Sequence, residues 1–229
     1  MGLLSKKDTD EEKDFETEFH FPTSDKALII FTRNPELGKV KTRLAKGVGD
    51  ESALEIYKFL LQHTVSITEG LSADKQVFYS EKIRTNDLWD PEIFDKKLQF
   101  GPDLGDRMIH AFGEAFRSGY KKAIIIGSDM YDLSQKDIEQ AFAALDEFDF
   151  VVGPAQDGGY YLLGMTFLKP ELFQNKDWGT ETVLEATLAD LNAESFKLLQ
   201  TRNDVDYYED IEGNAAFFPF LPKHLKDNS

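Results

Sequence analysis

The chain has 229 residues, of which 41% are hydrophobic and 13% aromatic, so it is long enough to bury a sizeable core as one α/β domain. Its formal net charge of −16 argues against binding nucleic acid through backbone phosphates, because such proteins carry excess Lys and Arg. The absence of cysteine excludes disulfides, Cys-ligated zinc and a cysteine nucleophile. No apolar run reaches the roughly 18 residues of a membrane helix and the N-terminus lacks a signal-peptide core, so no membrane span and a cytoplasmic location are expected.

Residues 1–25 hold eight acidic and three basic side chains. This composition predicts a largely disordered acidic extension, followed by one domain over residues 26–229. Within that domain, apolar runs of strand length alternate with helical patterns. Strands are predicted near 26–33, 76–80, 97–100, 123–127, 148–152, 159–165 and 196–199, and helices near 51–69, 104–118, 134–145 and 180–191. The alternation predicts an α/β fold with a mainly parallel sheet covered by helices on both faces.

A basic loop follows the first predicted strand. Between Arg33 and Lys46, five basic side chains accompany one acidic side chain, which reverses the overall sign of the protein locally. Pro35 and Gly38 mark a tight turn, so these cations are expected at the carboxyl end of a strand, where open α/β sheets bind ligands. The loop predicts a phosphate site, although a solvated Lys/Arg loop at a helix entrance has the same composition.

Two carboxylates are expected at the same edge of the sheet. Asp129 directly follows an apolar strand, and Asp157 lies beside the paired glycines Gly158 and Gly159. Both can reach one hard divalent cation, which takes one or two carboxylates together with phosphate oxygens and water. Each also has a structural alternative, since a strand-end Asp often caps a helix and Asp-Gly is a common turn pair.

Five segments resemble one known family. They are FTRNPELGKVKTRL at 31–44, DLGDRM at 103–108, GSD at 127–129, GPAQDGGYYLLG at 153–164 and DVDYYED at 204–210. In these segments the chain resembles the glycosyltransferase-A-like family of small bacterial proteins, which includes arsenosugar-biosynthesis-type glycosyltransferases, within the nucleotide-diphospho-sugar transferase superfamily. The resemblance implies a single-domain three-layer α/β/α sandwich that binds a nucleoside-diphosphate sugar across the carboxyl ends of its strands.

The resemblance also implies roles for individual residues. Asp129 takes the metal-binding aspartate position of the fold, and Asp157 is the second acidic position. Arg107, at the start of the helix that begins in the second segment, would contact the nucleotide or donor, or else form a surface pair. The residues implied to contact the nucleotide and its phosphates are Thr32, Arg33, Gly38, Lys41 and Arg43.

Two departures from the family pattern concern the predicted site. The family often has Gly-Ser-Asp-x-Pro-x-Leu where this chain continues from Asp129 into Met-Tyr-Asp-Leu, and loss of the proline is expected to free the turn and expose Asp132. The block before the late helix is commonly Trp-Ser-Thr and here has Gly179 in its centre, with Thr180 expected to cap the helix. Trp178 is either an acceptor-stacking surface or a core aromatic, and Asp206 either supports the metal or orders the C-terminal segment.

The function implied is a metal-dependent glycosyltransferase that moves a sugar from a nucleoside diphosphate to a small-molecule acceptor. Asp129 and Asp157 would hold Mg²⁺ or Mn²⁺ on the diphosphate, while Lys41 and Arg43 neutralise it. Asp157 would serve as the base only if it does not bind the metal. The first alternative is nucleotidyl transfer with release of pyrophosphate, because the basic loop and the DVD segment also resemble phospholactate guanylyltransferase and molybdenum-cofactor nucleotidyltransferases. The second alternative is a nucleotide-binding module without turnover.

Overall fold

The computed structural model describes residues 22–226, and the strands among them form one seven-stranded sheet. The strand order is β3-β2-β1-β4-β6-β5-β7, and β6 alone runs antiparallel to its neighbours. The predicted α/β class and mainly parallel sheet are therefore confirmed. The strands are β1 (Lys26–Thr32), β2 (Asp74–Tyr79), β3 (Phe94–Leu98), β4 (Lys122–Gly127), β5 (Phe150–Pro154), β6 (Tyr160–Met165) and β7 (Phe196–Leu198).

Helices cover both faces of this sheet. They are α1 (Thr42–Val48), α2 (Asp50–Thr68), α3 (Leu104–Arg117), α4 (Gln135–Ala144), α5 (Val183–Asp190) and α6 (Lys223–Lys226). Short 3₁₀ turns lie at Pro170–Phe173, Tyr208–Asp210 and Phe218–Phe220. The Asp103 side chain caps α3 by accepting from the Asp106 backbone N–H at 2.9 Å, and Ser134 opens α4 in a capping box with Asp137.

Alternate residues of β1 enter different cores, as the period of a strand requires. Leu28 and Ile30 pack on the face covered by α2 and α4, while Ala27 and Ile29 pack on the face covered by α3 and α5. A third apolar cluster joins α1 and α2 to the C-terminal segment through Leu44, Ile56, Leu60, Val205, Ile211, Phe217 and Leu221. This cluster brings residues 204–210 beside the loop that follows β1.

Three elements depart from the sequence-based expectation in ways that their length or packing explains. The helix α1 was not expected, because its seven residues are too short for a helical period to stand out. The strand β3 begins three residues before the expected position, at Phe94, which is buried against Trp89. The expectation that Thr180 caps the late helix is wrong: α5 begins at Val183, and the Thr180 hydroxyl donates to the Asp177 carbonyl at 2.7 Å.

The predicted division at residue 25 stays a prediction, because residues 1–21 lie outside the described part of the chain. The described residues of that segment contact the domain. The Thr23 backbone N–H donates to Asp74 at 2.7 Å, and the Lys121 N–H donates to the Asp25 carbonyl at 2.8 Å. Within residues 22–226, no helix has the length and apolarity needed to cross a membrane.

Candidate functional site

Two adjoining cavities lie at the carboxyl ends of the parallel strands. The larger, here called the cationic cavity, has a volume of about 690 Å³, and the smaller, here called the acidic cavity, about 260 Å³. The basic side chains that line the cationic cavity are Arg33, Lys39, Lys41, Arg43 and Arg107. The carboxylates that line the acidic cavity are Asp129, Asp157 and Asp204. Both cavities share Phe31, Leu104, Gly127, Asp129 and Gly179, so they meet at Asp129.

Lys41 links the basic loop to two distant carboxylates. Its Nζ atom lies 2.8 Å from Oδ2 of Asp129 and 3.5 Å from Oδ1 of Asp206, and its side chain is only 6% exposed. Arg43 reaches the other oxygen of Asp206 at 2.7 Å and lies over the Tyr207 ring at 5.8 Å. Asp206 is therefore the shared counterion of both predicted phosphate-binding cations.

The backbone at Lys41 has an unusual conformation. Its φ of 47° lies in the left-handed region, which non-glycine residues rarely adopt. This turn ends the basic loop and starts α1 at the next residue, while Val40 and Leu44 are buried on either side. The fold thus holds a costly backbone conformation at the residue whose ammonium joins Asp129 to Asp206.

Opposing effects set the protonation of this network. Burial would lower the pKa of Lys41 and raise that of Asp129, but the charge and hydrogen bond that each supplies to the other outweigh burial. The pKa of Lys41 is therefore raised and that of Asp129 is lowered, so both stay charged at neutral pH. Asp204 behaves differently, because burial and then the neighbouring Asp129 charge raise its pKa to about 6.

A buried hydroxyl cluster fixes the start of the basic loop. The Arg33 backbone N–H donates to the Tyr57 hydroxyl oxygen at 2.9 Å, and that hydroxyl also lies 3.1 Å from Oγ of Ser128. The Ser128 hydroxyl in turn donates to Oγ1 of Thr32 at 3.3 Å. Thr32 is 2% exposed, so its side chain belongs to this cluster. Tyr57 was missed from the sequence, where it is one more buried position in the helical pattern of α2.

Arg107 and Asn34 shape the rim of the cationic cavity. Arg107 donates through Nε to the Gly101 carbonyl at 3.0 Å and through Nη1 to Gln99 at 3.3 Å. Asn34 is 3% exposed, and its Oδ1 accepts from the backbone N–H groups of Glu81 and Lys82 at 3.1 and 3.2 Å. Arg107 is therefore positioned by the backbone that follows β3, and it is not a simple surface pair.

Gly127 leaves space for the Asp129 carboxylate. A Cβ atom on Gly127 would lie 2.8 Å from Oδ1 of Asp129, so any larger residue would push this carboxylate away. The expectation that the following turn is free is wrong, whereas the expected exposure of Asp132 is confirmed, since 49% of its side chain is exposed. Tyr131 packs on Phe217 at 4.9 Å between ring centroids, and Asp132 forms an ion pair with Arg202 at 3.5 Å. Aromatic packing and this ion pair hold the segment where the family's proline is absent.

Asp157 lies in the turn between β5 and β6. Its Oδ1 accepts from the Gly159 backbone N–H at 2.9 Å, so the carboxylate has the predicted turn role while it also lines the acidic cavity. The next residue, Gly158, has φ 86°, and a Cβ there would lie 2.2 Å from the Glu181 carbonyl oxygen. Its own carbonyl accepts from the Leu184 N–H at 2.8 Å. This tertiary contact, in place of a Thr180 cap, holds the first turn of α5.

Trp178 belongs both to the apolar core and to the site. It packs partly buried against the core formed with α3, and it lines the acidic cavity. A Cβ on Gly105 would lie 2.9 Å from the Trp178 Nε1 atom. The absence of a side chain at Gly105 therefore lets the indole pack closely on the start of α3. Gly38 lines neither cavity. Its φ of 72° explains the need for glycine in the turn, and its nucleotide contact stays a prediction.

The donor set fits a hard divalent cation. Asp129 and Asp157 line one cavity, and carboxylate oxygens are the donors that Mg²⁺ and Mn²⁺ prefer. Among residues 22–226, no three His, Cys, Asp or Glu side chains form a group that would hold a metal by themselves. The two carboxylates would therefore need phosphate oxygens and water to complete the coordination. An incoming cation would also share Asp129 with the Lys41 ammonium or displace it.

Comparison with solved structures places the fold. A protein from Desulfovibrio desulfuricans G20, provisionally named a nucleotide-diphospho-sugar transferase, is 31% identical with a TM-score of 0.74, over 84% of this chain and 90% of that one. A 4-diphosphocytidyl-2C-methyl-D-erythritol synthase from Anaerococcus prevotii is 9% identical with a TM-score of 0.54, over 86% and 96% of the two chains. A cytidylyltransferase from Leptospira borgpetersenii is 16% identical with a TM-score of 0.50, over 82% and 84%. The latter two likenesses concern the fold alone.

These likenesses confirm the expected nucleotide-diphospho-sugar transferase-like fold. No protein of curated function matches the chain. A family model described as "Uncharacterized protein conserved in bacteria (DUF2064)" matches residues 64–180, which include α3, β4 and the Asp129 and Asp157 segments. The chain belongs to this DUF2064 family, in the nucleotide-diphospho-sugar transferase superfamily.

Proposed function

We propose that this protein is a metal-assisted glycosyltransferase that uses a nucleoside-diphosphate sugar. The observation that carries the proposal is the junction of a cation-lined cavity with a smaller carboxylate-lined cavity at Asp129. A nucleoside diphosphate is anionic along its phosphates and ends in a largely uncharged sugar. The phosphates therefore suit the cationic cavity, and the sugar hydroxyls, which donate hydrogen bonds, suit the carboxylates of the acidic cavity.

The cationic cavity would bind the diphosphate. Lys41 and Arg43 are held beside the site by Asp206, so little side-chain entropy is lost when they meet a phosphate. Arg107 approaches from the start of α3, and its guanidinium would add a planar donor pair. The cations would stabilise the negative charge that develops on the leaving diphosphate, which is the main requirement of this reaction.

The transfer itself would exchange one C–O bond for another. The acceptor hydroxyl oxygen attacks the anomeric carbon, the bond from that carbon to the diphosphate oxygen breaks, and the nucleoside diphosphate leaves with the electron pair. The acceptor's proton would pass to Asp157 where that carboxylate does not hold the cation, and to solvent water where it does. Mg²⁺ or Mn²⁺ bound by Asp129 and Asp157 would supply additional charge neutralisation at the leaving group.

Nucleotidyl transfer is the second candidate, because the fold is shared with the cytidylyltransferase from Leptospira borgpetersenii. In that reaction a phosphorylated acceptor attacks the α-phosphate of a nucleoside triphosphate, and pyrophosphate leaves. The acidic cavity favours sugar transfer over this alternative. Among the described residues, none of its lining side chains is Lys, Arg or His, which a phosphorylated acceptor would need.

A thermal-shift screen tests the proposal first. UDP, GDP, ADP, CDP and dTDP sugars and the matching triphosphates would be compared with and without Mn²⁺, because a ligand of the folded state raises its melting temperature. We expect one nucleotide sugar to give a Mn²⁺-dependent shift, and incubation with acceptors to release free nucleoside diphosphate. Release of pyrophosphate from a triphosphate would establish nucleotidyl transfer instead, and binding without any product would indicate a binding module.

A further inference from the structure

We propose that the acidic cavity binds the transferred sugar and selects an uncharged or amine-bearing pyranose over a uronic acid. This inference rests on the proposed function, because it assumes that the cationic cavity holds the nucleoside diphosphate. It adds the chemical class of the sugar, which the family description and the name of the Desulfovibrio relative leave open.

The position of the acidic cavity identifies its occupant. It shares five lining residues with the cationic cavity, including Asp129 and Gly127 at the end of β4. A ligand whose diphosphate lies near Lys41 therefore continues past Asp129 into the acidic cavity. The next group along a nucleoside-diphosphate sugar is the sugar ring itself.

The size of the cavity is suited to one ring. Its volume of about 260 Å³ lies just below the roughly 300–1,000 Å³ that is usual for sites of drug-sized ligands. The cationic cavity, at about 690 Å³, has room for the larger nucleotide. The two volumes therefore suit a sugar ring in the acidic cavity and a nucleotide in the cationic cavity.

The charge of the lining excludes an anionic ring. Asp129, Asp157 and Asp204 are the charged side chains there, and no cation lines the cavity among the residues that the structure describes. Carboxylates only accept hydrogen bonds, so they suit the hydroxyl or ammonium donors of a sugar and repel its carboxylate form. Asp129 is paired with Lys41, and a divalent cation on Asp129 and Asp157 would share or displace that ammonium. Asp204, which forms no ion pair with a described residue, would still oppose a uronate.

The remaining lining is apolar and aromatic. Phe31, Met108, Tyr160 and Trp178 line the cavity, and Tyr160 is fixed by a hydrogen bond from its hydroxyl to the Met108 sulfur at 3.6 Å. Such surfaces cover the C–H faces of a pyranose, while a few carboxylates set its orientation. An aromatic and acidic lining is thus suited to a neutral or cationic sugar.

The test compares donors that differ at one carbon. Binding of the free nucleoside diphosphates is measured first, to identify the base that the protein prefers. UDP-glucose is then compared with UDP-glucuronate, or GDP-mannose with GDP-mannuronate, and the corresponding glucose and glucuronate derivatives serve for other bases. Isothermal titration calorimetry measures the dissociation constants with and without Mn²⁺. We expect the neutral donor to bind at least ten-fold more tightly than the uronate in both conditions.

Two variants locate this preference. Asp204 lines only the acidic cavity. D204N should therefore reduce the ratio of the two donors' dissociation constants, here called the gap, at least three-fold, while the free diphosphate binds as in the wild type. The control E212Q removes the same charge from an exposed residue that lines neither cavity, and it should leave the gap unchanged. Unchanged binding of the free diphosphate also shows that each variant is folded.

The outcomes separate the inference from the proposed function. Equal binding of both donors, or tighter binding of the uronate, would overturn the inference while binding of the free diphosphate keeps the proposed function. A gap that D204N does not change would also overturn it, because the selection would then arise outside the acidic cavity. If no nucleoside diphosphate binds, the proposed function fails and the inference falls with it.

Discussion

The cationic and acidic cavities differ in how their charges are balanced. In the cationic cavity, Lys41 and Arg43 are paired with Asp206, and Lys41 also holds Asp129. In the acidic cavity, Asp157 contacts only the backbone of its own turn through the described hydrogen bond, and Asp204 forms no ion pair with another described residue. Two cations of the first cavity are thus already paired within the protein, whereas Asp157 and Asp204 in the second keep charge that a ligand or cation would balance.

This difference suits the two cavities to different parts of a ligand. Paired cations are preorganised for an anion, and they need little rearrangement to bind it. Neighbouring unpaired carboxylates make each other's ionisation more costly, and they favour occupants with hydrogen-bond donors or positive charge. The following predictions begin with the largest expected effect, and each one perturbs one cavity more than the other.

Removal of Lys41 should have the largest effect. We expect K41A to weaken nucleoside-diphosphate binding by about 100-fold, or about 2.7 kcal/mol, because it deletes a charged donor and leaves Asp129 and Asp206 facing the phosphates. Titration calorimetry measures this change. The control K46A changes an exposed lysine of α1 that lines neither cavity, and it should alter binding less than two-fold. Equal binding by both variants would contradict the central role of Lys41.

Substitution of Gly158 should disturb the acidic cavity. An added Cβ would meet the Glu181 backbone at 2.2 Å in a left-handed conformation, so G158A should lower the unfolding free energy by about 2 kcal/mol or more. The control G213A has a similar φ of 71° and open space around its Cβ, so it should lose only about 1 kcal/mol. Urea denaturation measures both. Equal losses would show that Gly158 serves backbone conformation alone.

Loss of the Tyr57 hydroxyl should loosen the cationic cavity. Y57F leaves the Arg33 backbone N–H without its partner, so we expect a loss of about 1 kcal/mol in stability and roughly five-fold weaker diphosphate binding. The control Y120F removes a buried hydroxyl bonded to Asp74 at the opposite end of the sheet. It should cost similar stability and leave binding unchanged. Normal binding by Y57F would show that Tyr57 supports folding alone.

The smallest effect concerns the pH dependence of the acidic cavity. Asp204 has a folded pKa of about 6, above its ordinary value of 3.8, so its charged form is less stable in the folded protein. The loss of folding free energy that this charge causes is absent below about pH 4 and complete above about pH 6. With EDTA present, D204N should therefore gain on the order of 1 kcal/mol at pH 7.5, after allowance for solvent screening, and nothing at pH 4.

The control for this effect has the opposite sign. The pKa of Asp137 is lowered: burial would raise it, but hydrogen bonds from Ser134 and the Arg202 charge outweigh burial. Its charge stabilises the fold above about pH 4, and D137N should lose that stability at pH 7.5. Melting curves at both pH values measure the two variants. A D204N gain that is equal at both pH values would exclude charge repulsion as its cause.

The sequence by itself determined the α/β alternation, because strand runs and helical patterns such as 123–127 and 104–118 need only local periodicity. It also placed the cations after β1, and it placed Asp129 and Asp157 at strand ends, since these positions follow from where apolar runs stop. The boundaries of β3 and α5 depended on long-range contacts, namely Phe94 beside Lys75 of β2 and Gly158 with Leu184, and the pattern missed them.

Only the tertiary structure decided which of these charges meet. β1 lies beside β4 with Phe31 opposite Gly127, so the loop after β1 lies next to Asp129, almost 90 positions further along the chain. The third apolar cluster then brings Asp206 to Lys41, and α2 brings the Tyr57 hydroxyl beneath Arg33. No local period encodes such pairings, because they depend on strand order and on which faces of the helices are buried.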